Sequence, residues 1–159
     1  MSQIPSVLFV CLGNICRSPL AEGALRAEAA RLNLDIEVDS AGTGNWHAGE
    51  PPDWRAIAVA RRNGVDISGL RARQVRPADF RHFTHVIALD HDNLANLRKL
   101  APADATAELS LLLDHVQGRA GQGVTDPWFG DEAGFDVTWA EVTAAARGLV
   151  ERFRPYDRS

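Results

Sequence analysis

The chain has 159 residues, a formal net charge of −4 and 45% hydrophobic residues, which is the size and make-up of one globular domain over 1–159. The acidic balance excludes the basic stripe of a duplex-binding protein. With only two cysteines, Cys11 and Cys16, a secreted disulfide framework is excluded as well. Met1–Pro5 lacks the basic stretch of a secretory leader, and Val7–Leu12 is too short to span a membrane. A cytoplasmic, monomeric chain with no nucleic-acid or membrane partner is expected.

Ser6–Val10 is a short apolar run ending at a glycine-containing loop, the pattern of a buried parallel strand. Ser18 and Pro19 then predict a helix start, with Ser18 as N-cap and Pro19 in the first turn. Leu25, Ala29 and Leu32 form the inner face of that helix. Ile36–Asp39 reads as a second strand, followed by the turn-rich segment Ser40–Pro52. Asp53–Asn63 is the next helix, closed by Gly64. His85–Leu89 is a third strand, after which Asp90 opens an amphipathic stretch carrying Leu94 and Leu97. A fourth strand falls within Ala107–Leu113. Val142, Ala145, Ala146, Leu149, Val150 and Phe153 repeat at helical spacing, and Glu151–Ser159 reads as a frayed, arginine-rich end. Strands alternating with helices imply a three-layer α/β fold, a parallel sheet covered on both faces. Sites in such folds lie beyond the carboxyl ends of the strands, so the loop after the first strand is where chemistry is expected.

That loop, Cys11–Ser18, reads CLGNICRS. A tight turn running into a helix offers inward-facing backbone N–H groups to a phosphate. Gly13 and Asn14 suit the left-handed backbone of such a nest. Cys11 would sit among donors that favour its thiolate. Arg17 supplies a planar fork for two phosphate oxygens, and Ser18 could donate a hydrogen bond to Cys11. Leu12, Ile15 and Cys16 complete the loop. Cys16 is open to two readings, a small packing residue or a partner that captures oxidised Cys11 as a disulfide. Arg61, Arg62, Arg71, Arg73 and Arg76 are likewise either solvated or a basic rim that draws anions.

The stretch Val10–Pro19 closely resembles the active-site loop of the low-molecular-weight protein tyrosine phosphatases. The likeness continues at Asp39–Gly44, Pro52–Arg55, Arg71–Gln74 and Thr125–Trp128, nearly the whole chain. It implies a central four-stranded parallel sheet flanked by helices, and a hydrolase that needs neither metal nor other cofactor. It implies Asp126 as general acid, an Asn14–Ser40 hydrogen bond that holds the loop, and Trp46 and Trp128 as aromatic walls of a phosphotyrosine cleft. The implied partner is a tyrosine-phosphorylated protein, with a bacterial tyrosine kinase as one such substrate. An aspartic acid as proton donor predicts an activity optimum below neutrality. Pro127 keeps Asp126 out of a helix.

The chain departs from its relatives where Trp128 and Phe129 stand in place of tyrosines, leaving Tyr156 as the only tyrosine, and where Leu89 precedes Asp90 in place of methionine. His47, His82, His85 and His91 read as solvated histidines, since only the His82–His85 spacing is ligand-like and no third ligand is evident. The rival readings are an arsenate reductase on the same scaffold, a non-catalytic phosphate-binding module and a phosphocysteine transfer protein. No cysteine follows Cys16 to serve as a reductase's resolving thiol, and neither binding nor transfer calls for Asp126.

Overall fold

The structure is a computed structural model that describes residues 4–128 and 130–154. Phe129, Tyr156 and the rest of the tail beyond Arg154 lie outside the described residues. Four strands, β1 (Ser6–Cys11), β2 (Glu37–Gly42), β3 (His85–Ala88) and β4 (Glu108–Leu111), form one sheet in the order β2-β1-β3-β4. Every pairing is parallel. The helices are α1 (Arg17–Arg31), α2 (Trp54–Arg62), α3 (Asp79–His82), α4 (His91–Leu100) and α5 (Glu132–Phe153), with a 3-10 turn at Leu112–His115.

The central strand shows why the fold has three layers. All six residues of β1 are buried, and alternate side chains enter different cores. Val7, Phe9 and Cys11 pack with Leu20, Leu25 and Leu149 of α1 and α5, whereas Leu8 and Val10 pack with Phe80, Leu94 and Leu97 of α3 and α4. A strand covered on both faces loses polar–apolar alternation and becomes a continuous apolar run. Side-chain close approach sets the far layer too. A Cβ at Gly148 of α5 would overlap the backbone carbonyl of His115, so glycine lets that helix settle against the 3-10 turn.

The topology also locates the site. The chain leaves β1 through α1 toward β2 and leaves β3 through α4 toward β4, so two loops diverge between adjacent strand ends. That crevice is where open parallel sheets bind ligands. Cys11 ends β1, and Asp90 begins α4 as its N-cap, its carboxylate accepting the Asn93 amide at 2.8 Å.

Several expectations need correction. The first helix begins at Arg17, with Cys16 in the cap position and no side-chain cap. Ser18 is therefore inside the helix, its hydroxyl engaged by Asn14 and Cys11 rather than by helix amides. The second strand starts one residue later and runs on to Gly42, because Ser40, Ala41 and Gly42 continue the ladder with Phe9, Val10 and Cys11. Helix α2 runs from Trp54 to Arg62 with Asp53 as N-cap and Asn63 as C-cap, while Gly64 takes the positive φ of 81° that ends it. The chain from Glu151 to Phe153 is the last turn of α5, with Phe153 buried, and not a frayed end.

Candidate active site

Asn14 shapes the loop between β1 and α1. It alone in the loop adopts a positive φ, 59°, whereas Gly13 does not. Glycine at 13 serves a close approach instead, since a Cβ there would come within 3.1 Å of the His47 ring. The strained backbone of Asn14 is held from every side. Its Nδ2 donates to Ser18 Oγ at 2.8 Å and to Ser40 Oγ at 2.9 Å, and its Oδ1 accepts the Arg73 backbone N–H at 3.0 Å. These buried bonds offset a backbone strain of about 1–3 kcal/mol. The implied Asn14–Ser40 pair is present.

Cys11 Sγ lies 3.0 Å from Ser18 Oγ. Arg17 is 3% exposed, and its Nη1 donates to Asp90 Oδ2 at 2.7 Å and to the Val124 carbonyl at 2.9 Å. Its Nη2 stands 3.7 Å from Asp126 Oδ2. Burial alone disfavours the guanidinium charge, but Cys11, Asp90 and Asp126 together outweigh it and raise the Arg17 pKa. Cys16 is pushed strongly upward, first by burial and then by Asp53 and Cys11, and stays a neutral thiol.

Asp126 arrives from the far end of the chain. Its Oδ1 accepts the Trp128 backbone N–H at 3.0 Å, which fixes the turn presenting the other oxygen toward Arg17. Arg55 braces the same segment. Its guanidinium donates to the carbonyls of Trp128 (3.1 Å) and Gly130 (3.2 Å), bonds Asp53, and lies 5.4 Å above the Trp128 ring. The Asp53 amide in turn donates to the Ile15 carbonyl at 2.8 Å, so the start of α2 ties the Cys11 loop to the Asp126 loop.

Cys11, Leu12, Gly13, Ile15, Cys16, Arg17, Trp46, His47, Asp126 and Trp128 line one cleft of about 190 Å³. Trp46 and Trp128 stand at its mouth, 69% and 38% exposed. Asn14, Ser18 and Ser40 lie behind this surface and support it. The sequence reading missed Arg55, Asp90 and His47 as site residues. Arg55 lies within a motif that carries the likeness but no role of its own, and Asp90 reads from the sequence only as the start of an amphipathic stretch beside the changed Leu89. His47 had no signal beyond adjacency to Trp46; its ring is 6.2 Å from that of Trp128, and its Nδ1 is 3.3 Å from Glu50. None of the five arginines of the basic stretch lines the cleft. Arg62 pairs with Asp136, and Arg73 is held by Asp39 and Asp79. Of the histidines expected to be solvated, His85 is instead buried against Thr84 and Phe153, whereas His82 and His91 are exposed and bond Glu37 and the Gly121 carbonyl. No three His, Cys, Asp or Glu side chains among the described residues converge as a metal-ligand set.

A thiol at a strand end, a loop running into a helix, a buried guanidinium and a facing carboxyl define the class of a cysteine-centred phosphate site on an α/β scaffold. The pattern of the low molecular weight phosphotyrosine protein phosphatases matches residues 6–157. A low molecular weight protein-tyrosine-phosphatase of Bacillus subtilis, YfkJ, is 44% identical over 126 residues, covering 78% of this chain and 81% of its own. The crystal structure of YfkJ superposes with a TM-score of 0.90 at 36% identity, covering 99% of each chain. Vibrio vulnificus Wzb, solved in complex with benzylphosphonate, superposes with a TM-score of 0.83 at 25% identity over 94% of this chain and 99% of its own. The chain belongs to the low molecular weight phosphotyrosine protein phosphatase family and is a protein tyrosine phosphatase acting on phosphotyrosine proteins. No helix among the described residues is long and apolar enough to cross a membrane.

Proposed function

We propose that Cys11, Arg17 and Asp126 divide the hydrolysis of phosphotyrosine between them in two steps. The Cys11 thiolate attacks phosphorus and the bond to the phenolic oxygen breaks, while the carboxyl of Asp126 gives that oxygen a proton. Asp126, now a carboxylate, takes a proton from water. The resulting hydroxide attacks phosphorus, and the sulfur–phosphorus bond breaks to release inorganic phosphate. Arg17 and the loop amides bear the charge that spreads over the phosphoryl oxygens in both transition states. Ser18 donates to the sulfur, which favours its attack and later its departure.

The observation that carries this reading is that Arg17 and Asp126 line one cleft with the Ser18-bonded sulfur of Cys11. Binding alone needs neither the Cys11 nucleophile nor the Asp126 acid, and phosphoryl transfer through Cys11 has no need of Asp126, which disfavours the binding-module and transfer readings. The arsenate-reductase reading finds no resolving thiol among residues after Cys16. Assays with an aryl phosphate on wild type, Cys11→Ser and Asp126→Asn test the scheme. Cys11→Ser should be inactive, and Asp126→Asn should lose about 10²-fold or more in turnover. Full turnover by Cys11→Ser would sink the mechanism.

Trp46 and Trp128 as walls suit a flat ring carried on a phosphate, and the benzylphosphonate held by Wzb has that shape. From the resemblance we propose a bacterial tyrosine kinase as a protein substrate and the cytoplasm as the compartment. Capture by Cys11→Ser from a lysate, followed by identification of the phosphotyrosine protein retained, tests the partner. We also propose that Cys16 traps peroxide-oxidised Cys11, since both are free thiols lining the same cleft.

A further inference from the structure

Glu22, on the buried face of α1, has no step in the scheme above although its side chain is 2% exposed. Its Oε2 accepts two bonds from Arg26, from Nε at 3.0 Å and from Nη2 at 2.7 Å. Arg26 also donates to the Val38 carbonyl at 2.6 Å, which anchors this grip on β2. The other oxygen, Oε1, accepts the Ser40 hydroxyl at 2.7 Å. The remaining charge near it, Asp39, is paired with Arg73.

From Ser40 the bonds run without a break to Cys11, and each link has one permitted direction. An ionised carboxylate accepts only, so Ser40 must aim its proton at Glu22 and offer a lone pair to Asn14. Asn14 then spends one N–H on Ser40 and the other on Ser18, while its oxygen takes the Arg73 N–H. Ser18, already an acceptor, has only its own proton left to give, and Cys11 Sγ is 3.0 Å away. Its alternative acceptor, the Ala41 carbonyl, lies at 3.5 Å. If Ser40 pointed the other way, Asn14 would have to turn its amide and set N–H against the Arg73 N–H.

We propose that Glu22 is a positioning residue whose carboxylate, gripped by Arg26, acts from the Ser40 end, with the Arg73 N–H on Asn14, to set the direction of the Ser40–Asn14–Ser18 chain so that Ser18 donates to the Cys11 thiolate. The proposal rests on Cys11 as nucleophile and adds what keeps it reactive. Burial raises the Glu22 pKa, Ser40 and Arg26 oppose the rise, and Asp39 adds to it. Protonation of Glu22 on the acid side removes the constraint on Ser40, so Cys11 reactivity depends on a second ionisation.

The test is alkylation of the full chain by iodoacetamide across pH, with the modified residue located by fragmentation. In Glu22→Gln the amide oxygen is claimed by the two Arg26 donors, leaving an NH₂ group against the Ser40 hydroxyl. Alkylation of Cys11 should slow by about tenfold below the thiol's titration, and the profile should move up by about one pH unit. In a Ser40→Ala background, where the link is already cut, Glu22→Gln should change the rate by less than about twofold. Arg26→Gln, at a half-exposed position, covers the case in which Glu22→Gln does not fold, and it should lose reactivity only on the acid side. Profiles that overlay wild type overturn the proposal, as does an equal effect of Glu22→Gln with and without Ser40. Alkylation needs no phosphatase turnover, so an altered profile alongside an active Cys11→Ser enzyme would indict the catalytic assignment and not this one.

Discussion

Arg17 and Asp90, 73 positions apart in the chain, meet in a 2.7 Å ion pair at the crevice between β1 and β3. The guanidinium is 4% exposed on its side chain and Asp90 27%, so the pair is sheltered on the arginine's side and its aim is fixed before any phosphate arrives. Asp90 does two jobs, since one oxygen takes Arg17 and the other caps α4.

Those jobs separate by substitution. Asp90→Asn keeps a capping oxygen and removes the charge that steers Arg17. Its kcat/KM for an aryl phosphate should fall by about tenfold or more, with weaker inhibition by inorganic phosphate. Asp90→Ala should share that loss and cost a further ~1 kcal/mol in urea unfolding, because the cap goes too.

Trp46 folds back over Gly44 so closely that a Cβ at residue 44 would overlap its indole ring. Gly44→Ala should displace this wall without touching Cys11 or Arg17. The preference for aryl over alkyl phosphates should drop by roughly threefold to tenfold, the worth of one aromatic contact. Parallel kcat/KM measurements on phosphotyrosine and phosphoserine peptides check it.

Acid should weaken the fold through two histidines. His85 and His115 both have lowered pKa values, caused first by burial; Arg152 depresses both further, while Glu108 partly opposes. A histidine depressed in the folded state binds its proton more readily when unfolded, so ν_U exceeds ν_N and stability rises with pH. Their contribution is present above the unfolded value of ~6.5 and is lost as pH falls through the folded values. Urea midpoints should decline between neutrality and mild acid, less steeply in His115→Gln. An equal decline in that variant would remove His115 from the account.

Cys16 has its thiolate form opposed by burial, Asp53 and Cys11. Capture of oxidised Cys11 therefore waits on thiolate formation at Cys16, and its protection should show at low peroxide doses, before further oxidation of Cys11 competes. Wild type should recover activity with dithiothreitol after mild treatment, whereas Cys16→Ser should recover less after the same dose. Equal recovery would make Cys16 a packing residue.

What was legible in the sequence was local. The loop residues Cys11–Ser18 read as a phosphate nest because such a nest is built from chain neighbours, and strands buried on both faces leave apolar runs such as Ser6–Val10. Ser18 misled for the same reason. A serine before proline reads as an N-cap, but here Asn14 and Cys11 outbid the helix amides for its hydroxyl. Asp90, Arg55 and Glu22 escaped because their roles depend on partners reached only after folding, at Arg17, Trp128 and Ser40. Asp126 and the tryptophan walls were found through likeness to a family, since an Asp-Pro step alone is an ordinary turn.

The covalent intermediate is the central claim, and rapid-quench mass spectrometry of Asp126→Asn with an aryl phosphate tests it most directly. The good leaving group allows attack without the acid, and the missing base slows hydrolysis, so a phosphoryl group should accumulate on Cys11. Continued turnover with no adduct, or with one on another residue, would contradict the account.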